Sequence, residues 1–327
     1  MGISRAGATR PAERPPWYED GWRIQAEEWA RAQLAAEGME TIGSIEEARM
    51  WALSCVLRIP TAEGPVYFKA TADMDLFVNE PSLTRRLGPL FPGRVPDVLA
   101  VDEARGWMLT SDFGNPVGGD GPVADIVGTF RQWSAMQRSA ADHLGELLAA
   151  GCRDRRLDTL PDQFADLLRN TVALAALPDG ASRRLAAATD VVPRVCDALR
   201  GYAVPDSLVH GDLHMGNVAA HSGSFVIFDW TDACVSHPFM DGLLPYRMSD
   251  ARAREQIREA TLEAWTDVEP LPRLREAWEL AQRACIAHHV VSYGVLVADV
   301  PVALREDLGD FFCTLVDEFL DIADGMS

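Results

Sequence analysis

The chain has 327 residues, 48% of them hydrophobic and 24% charged, a length suited to one large domain or two lobes and a composition that supports a packed core. A formal net charge of −19 argues against a nucleic-acid or anionic-membrane partner and permits a cationic one. Six scattered cysteines without a C-x-x-C pair, no apolar run near the N-terminus, and a longest strongly apolar stretch (284–298) too short to span a bilayer point to a reduced, cytoplasmic protein.

Residues 1–16 are small, basic and proline-containing and read as a loose tail. The spacing of Ile24, Trp29, Ala32 and Leu34 predicts an amphipathic helix over 24–36. Three strand-like runs follow, at roughly 40–49, 51–60 and 64–71, with 61–64 as a turn. A helix is expected near Pro81–Leu90, then two short strands within 95–114. These elements make an α+β lobe over 17–113. The Gly/Pro-rich GNPVGGDGP (114–122) marks the boundary to a second lobe, 114–327. That lobe reads as helical at 123–150, 161–175, 181–201, 250–267, 270–299 and 303–325, around one non-helical island, 204–247.

Of the 30 basic residues 29 are arginine, and the one lysine, Lys69, sits inside the strand-like run GPVYFKAT (64–71). A compact ammonium on a slim stem suits a crowded strand where a planar guanidinium would need a different pocket.

The island carries the chemistry. Asn217–His221 and Phe225–Asp229 flank Ser222-Gly223-Ser224, a plausible three-residue hairpin turn with Gly223 supplying positive φ. A turn centred on Gly223 sets Asn217 opposite Asp229, with Cβ atoms about 4.5–5.5 Å apart. An amide oxygen beside a carboxylate is a hard-oxygen pair suited to Mg²⁺, which takes few protein ligands plus phosphate oxygens. Asp212 precedes Asn217 in the spacing D-x-x-x-x-N, that of the catalytic loop of protein kinases, where the aspartate takes the acceptor hydroxyl's proton and the asparagine holds metal.

HGDLHMGN (210–217), followed by VIFDW (226–230) and HPFMDG (237–242), resembles the aminoglycoside phosphotransferase and choline kinase-like family of small-molecule kinases, which share the protein-kinase fold. The resemblance runs over about residues 40–245 and is sharp at 210–242. It implies a two-lobed kinase-like α+β fold, with a small β-rich N-lobe and a larger helical C-lobe. It also implies ATP or GTP with Mg²⁺ as cofactors: Asp212 as catalytic base, Asn217 and Asp229 on the metal, and Lys69 on the phosphates with Glu80 as its partner. Pro81 forces Glu80 to the very start of its helix, and Asp73 and Asp75 are the alternative partners.

By family order WMLTSDFGN (107–115) is the hinge whose backbone around Thr110 to Asp112 would meet the base, so SDFG (111–114) is not a metal motif: it precedes the catalytic loop. With no G-x-x-x-x-G-K-[ST] and no G-x-G-x-x-G between the first strands, the phosphate-covering turn falls to the glycine-poor EEARMW (46–51). His210 and His214 lack the continuous helix a zinc pair would need, since Gly211 and Gly216 break it, and His210 reads as a loop-ordering side chain.

The expected activity is transfer of a γ-phosphoryl group to a hydroxyl of a small molecule, an antibiotic such as an aminoglycoside or a related amino-sugar or nucleoside. Asp232, Glu259, Glu263 and Asp267 are the acidic candidates for recognising acceptor amines between the island and the C-terminal helices. Two alternatives remain: a catalytically silent nucleotide-binding module, or a metabolic kinase for a sugar or amino alcohol.

Overall fold

The computed structural model describes residues 15–325 apart from 75, 78, 120, 222 and 302–304, and not the side chains of 221, 306 and 307. The tail expected at 1–16 lies, through residue 14, outside the described residues, as does Asp75.

The N-terminal part alternates a helix with a sheet. Helix α1 (Trp22–Ala36) is followed by β1 (Glu46–Met50), β2 (Ser54–Thr61), β3 (Gly64–Thr71), α2 (Glu80–Leu90), β4 (Val98–Asp102) and β5 (Trp107–Ser111). The strands form one antiparallel sheet in the order β1-β2-β3-β5-β4. Alternation assigns the faces of β3: Val66, Phe68 and Ala70 are buried, while Tyr67 and Lys69 turn to the opposite side. The buried face meets Trp22, Ala26 and Ala30 of α1, and Phe68 packs edge-on against Trp22, Trp29 and Trp107. Lys69 thus sits in a mostly buried strand with its ammonium aimed away from the core.

The C-terminal part is helical around small sheets. In chain order it comprises α3 (Val123–Ala140), α4 (Leu144–Ala149), β6 (Arg153–Asp154), α5 (Leu160–Leu167), α6 (Thr171–Leu174), α7 (Ala181–Ala187), α8 (Val191–Leu199), β7 (Ser207–Val209), β8 (Val218–His221), β9 (Ser224–Ile227), β10 (Cys234–Ser236), α9 (Leu243–Arg247), α10 (Ala251–Leu262), α11 (Leu271–Asp299) and α12 (Arg305–Asp324). The helices expected at 123–150, 161–175 and 181–201 are each broken into two. The apolar 284–298 stretch is a largely buried part of α11, packed in one core with α5, α8 and α12. No described helix is long and apolar enough to cross a membrane.

The fold is a mixed α+β architecture of kinase type, with a sheet-rich N-terminal and a helical C-terminal part. Two features join them. Leu83 and Leu87 of α2 share a core with Ile126 and Phe130 of α3 and with Val218 and Ile227 of the β8–β9 hairpin. The segment after β5 is pinned to that hairpin, Val117 N donating to Val218 O (2.8 Å) and Gly118 N to Met215 O (2.9 Å).

Two expectations are corrected. Residues 46–50, expected in the phosphate-covering turn, are strand β1, and the connection to β2 is Trp51–Leu53, because main-chain pairing of Arg49 with Val56 and Met50 with Cys55 continues to the end of EEARM. The β8–β9 register is Val218↔Ile227 and His221↔Ser224, a connection of two residues, not three. Asn217 therefore lies opposite Phe228, whose N donates to Asn217 O at 3.0 Å, and Asp229 falls one position past the pairing.

Candidate active site

The one-residue slip would turn Asp229 away from Asn217 if the strand simply continued. It does not: Asp229 has φ +66°, alone among described non-glycine residues in the left-handed region. That turn carries its carboxylate back into the cleft, a local strain of the kind held at functional sites.

Asp229 Oδ1 accepts from Lys69 Nζ (2.8 Å) and from the Thr231 hydroxyl (3.1 Å). Lys69 Nζ also donates to Glu80 Oε1 at 2.6 Å. Glu80 opens α2, which has a proline in its first turn, and is 2% exposed; Asp73 is exposed. Burial works against the Lys69 ammonium, but the carboxylates of Asp229 and Glu80 outweigh it and hold its pKa above the usual value. Burial likewise opposes ionisation of Asp229, and the Lys69 ammonium overrides it, leaving that carboxyl low. Burial pushes Glu80 up, to about 7, with Lys69 opposing.

Asn217 ends a short 3-10 turn (Met215–Asn217) capped by His214, whose Nδ1 accepts from Gly216 N at 3.0 Å. The Asn217 amide nitrogen donates to Asp212 O (3.0 Å) and Oδ2 (3.3 Å), which leaves the amide oxygen for a cation. A set of one amide oxygen and one carboxylate, both hard donors, fits Mg²⁺ completed by phosphate oxygens. His214 Nε2 lies 3.5 Å from Asp212 Oδ2, and this hydrogen bond, outweighing burial, raises the His214 pKa.

A buried scaffold holds the loop. Asp212 N donates to His210 Nδ1 (3.3 Å) while His210 Nε2 meets Phe228 O (2.9 Å), the pattern of a neutral imidazole donating from Nε2. Burial lowers its pKa and keeps it neutral. Asp241 accepts from the backbone N of His210 and Gly211 (both 2.9 Å), from Trp133 Nε1 (2.8 Å) and from Gln137 Nε2 (3.2 Å). Burial still pushes its carboxyl up, to about 7. Gly211 is obligatory: it has φ +85°, and a Cβ there would fall 2.3 Å from the Asp232 carbonyl oxygen.

Two cavities meet at this point. The larger, about 390 Å³, is lined by Arg49, Lys69, Glu80, Thr110, Asp112, Asn217 and Asp229 among others. The smaller, about 110 Å³, is lined by Trp51, Phe77, Asp212, Thr231, Asp232 and Tyr293, and it shares Ser54, Lys69 and Asp229 with the first. Asp232 is buried with Oδ1 lacking a hydrogen-bond partner among the described residues, and burial raises its carboxyl to about 6.

The other acidic acceptor candidates lie elsewhere. Glu259 and Glu263 line a surface groove between α3 and α10. Glu259 pairs with Arg258 and Arg275, Glu263 with Arg131 and Asp267 with Arg138, so their charges are met by arginines outside both cavities. Sequence reasoning missed Phe77 and Tyr293, which carry no motif signal, placed Trp51 only in the phosphate-covering segment, and missed the scaffold role of Trp133 and Gln137. The Asp241 anchor was visible only as the one acid of HPFMDG.

The phosphotransferase enzyme family model matches residues 72–278. Solved structures with a similar fold include a choline/ethanolamine kinase family protein from Mesorhizobium loti (19% identity, TM-score 0.61, 90% of this chain and 95% of that one). A macrolide 2'-phosphotransferase from Brachybacterium faecium aligns at 16% identity and TM-score 0.59 over 90% and 98% of the two chains. The GDP complex of an aminoglycoside 2'-phosphotransferase-IIIa aligns at 14% identity and TM-score 0.57 over 90% and 98%. No curated protein matches the sequence.

Proposed function

The chain belongs to the phosphotransferase enzyme family, and we propose that it transfers the γ-phosphoryl group of ATP or GTP, with Mg²⁺, to a hydroxyl of a small amine-bearing molecule. One observation carries this reading: Lys69 Nζ sits between Glu80 and Asp229 on the wall shared by the two cavities, with Asn217 on one side and Asp212 on the other.

The larger cavity takes the nucleotide, its base against the backbone around Thr110 to Asp112 and its phosphates against Lys69. Mg²⁺ held by Asn217 and Asp229 would neutralise charge on the β- and γ-oxygens. Asp212, oriented by Asn217 and His214, accepts the proton of the acceptor hydroxyl. The acceptor oxygen bonds to the γ-phosphorus as the bond from that phosphorus to the β–γ bridging oxygen breaks, the electron pair leaving with the nucleoside diphosphate. Catalysis is positioning and charge neutralisation.

The acceptor occupies the smaller cavity. Three carboxylates, of Asp212, Asp229 and Asp232, and the rings of Trp51, Phe77 and Tyr293 suit an ammonium close to the reacting hydroxyl. An aminoglycoside-type amino-sugar antibiotic has that chemistry, with resistance as the corresponding role. The volume of about 110 Å³ favours a second reading, a small amino alcohol that enters whole. The unpaired state of all six cysteines supports a cytoplasmic home, and the break after Phe113 is the lobe boundary we favour.

Coupled ADP-release assays across aminoglycosides, nucleosides, sugars and amino alcohols test the activity. Asp212→Ala should cut turnover by about 10²–10⁴-fold while ATP·Mg affinity stays within a few-fold of wild type. Tight nucleotide binding without turnover of any acceptor would instead leave a silent binding module.

A further inference from the structure

The turn that should cover the phosphates has no glycine: none occurs between Gly43 and Gly64. Backbone amides approach phosphate closely where no Cβ intervenes, and Trp51-Ala52-Leu53 offers three. The nucleotide cavity nevertheless has a second cation. Arg49 and Lys69 both line it, and Lys69 shares its charge with Glu80 and Asp229. Among the described residues Arg49 meets no carboxylate at ion-pair distance; its guanidinium lies 4.6 Å from the centre of the Trp51 ring.

A bulge puts Arg49 there. Pairing of β1 with β2 runs Glu46↔Arg58 and Glu47↔Leu57, then shifts so that Arg49 pairs with Val56. Val56 in turn pairs with Lys69, so Arg49, Val56 and Lys69 share one face. Without the shift Arg49 would oppose Cys55 and face α1. With it, Arg49 stands two strand spacings, about 10 Å, from Lys69. The Trp51 ring beneath it is tied at its nitrogen, Nε1 donating to Ser54 Oγ, and the Trp51 main chain is held where its carbonyl accepts from Trp17 Nε1, both at 2.8 Å. Gly216 and Asn217 of the catalytic loop line the same cavity as Arg49.

We propose that Arg49 is a phosphate-binding residue whose guanidinium, held on Trp51, grips the outer phosphates of the nucleotide in place of the amides of a glycine-rich loop. The inference rests on the nucleotide-transfer reading above. A planar guanidinium makes paired hydrogen bonds to phosphate oxygens, and in a chain of net charge −19 a cation lining that cleft with no carboxylate at ion-pair distance among the described residues is what a polyanion would seek.

Calorimetric titration of ATP·Mg, GTP·Mg and the corresponding free nucleosides into wild type, Arg49→Met and Arg49→Lys decides it. Arg49→Met should weaken binding of the preferred triphosphate at least tenfold and leave its nucleoside within twofold, whereas a merely structural role would weaken both alike. Arg49→Lys should recover part of the loss, and the triphosphate preference of wild type should decline with added salt more steeply than that of Arg49→Met. Equal triphosphate affinity in wild type and Arg49→Met, or parallel losses for triphosphate and nucleoside, overturns the role of Arg49 and leaves the transfer reading standing. Absence of nucleotide binding by wild type overturns both.

Discussion

A single buried carboxyl in the cavity proposed for the acceptor lowers the stability of the fold. Burial raises Asp232 to about 6 from an ordinary value of 3.8, so between these limits the folded chain holds a proton the unfolded chain has released. The stability it permits is full below about pH 4 and falls as pH rises to about 6. At neutral pH the deficit is about 2–3 kcal/mol. Asp232→Asn should therefore stabilise the protein by about 2 kcal/mol at pH 7 and flatten its stability between pH 4 and 6, while raising the KM of a cationic acceptor. Urea unfolding at several pH values reads the first effect; a variant no more stable than wild type at pH 7 would contradict it. Asp232 was named from the sequence as one acid of four, and the other three turned out to be salted to surface arginines, since nothing local tells which helix face a tertiary neighbour will cover.

At the scale of elements, the catalytic loop and hairpin depend on two glycines in the left-handed region for different reasons. Gly223 has φ +79° with open space around its missing Cβ, and Gly211 has φ +85° with the Asp232 carbonyl in the way. Gly223→Ala should cost only about 1 kcal/mol, the price of the backbone conformation, and leave turnover intact. Gly211→Ala must also displace the chain at Asp232 and should cost about 3 kcal/mol or more, with loss of activity in whatever remains folded. Comparing the two melting curves separates conformational strain from collision; similar shifts would refute the close approach. The turn glycine was legible in HSGS, but the register was not. A two-residue and a three-residue connection use the same letters, and the choice between them falls to Asp229 and the partners that draw it out of the strand.

Across the whole molecule, Lys69 ties residues 160 positions apart, joining the sheet to Asp229 of the C-terminal part and to Glu80 of α2. Removing the ammonium leaves Glu80 buried without its counter-charge. Lys69→Met should cost about 3–5 kcal/mol, lowering the melting midpoint by about 5 °C or more, and Lys69→Arg should not restore it because a planar fork cannot reproduce the bonds of one compact ammonium to both Glu80 and Asp229. A midpoint within a degree or so of wild type would show that the two parts hold together without this link. The shared core of α2, α3 and the hairpin is the other tie, and it explains why the helix bearing Glu80 is set against the catalytic loop and not only against its own sheet.

By itself the amino-acid sequence determined the element types and pointed to the groups proposed to react. Strand alternation, helical spacing and the D-x-x-x-x-N motif are short-range patterns, and a lone lysine or a clustered island is visible in one dimension. Tertiary structure alone decided which side chains share a cavity. A bulge that turns Arg49 to the face of Lys69, a positive φ that returns Asp229 to the cleft, and the meeting of Trp51, Asp232 and Tyr293 each depend on chain segments far apart in sequence, whose packing no local preference encodes.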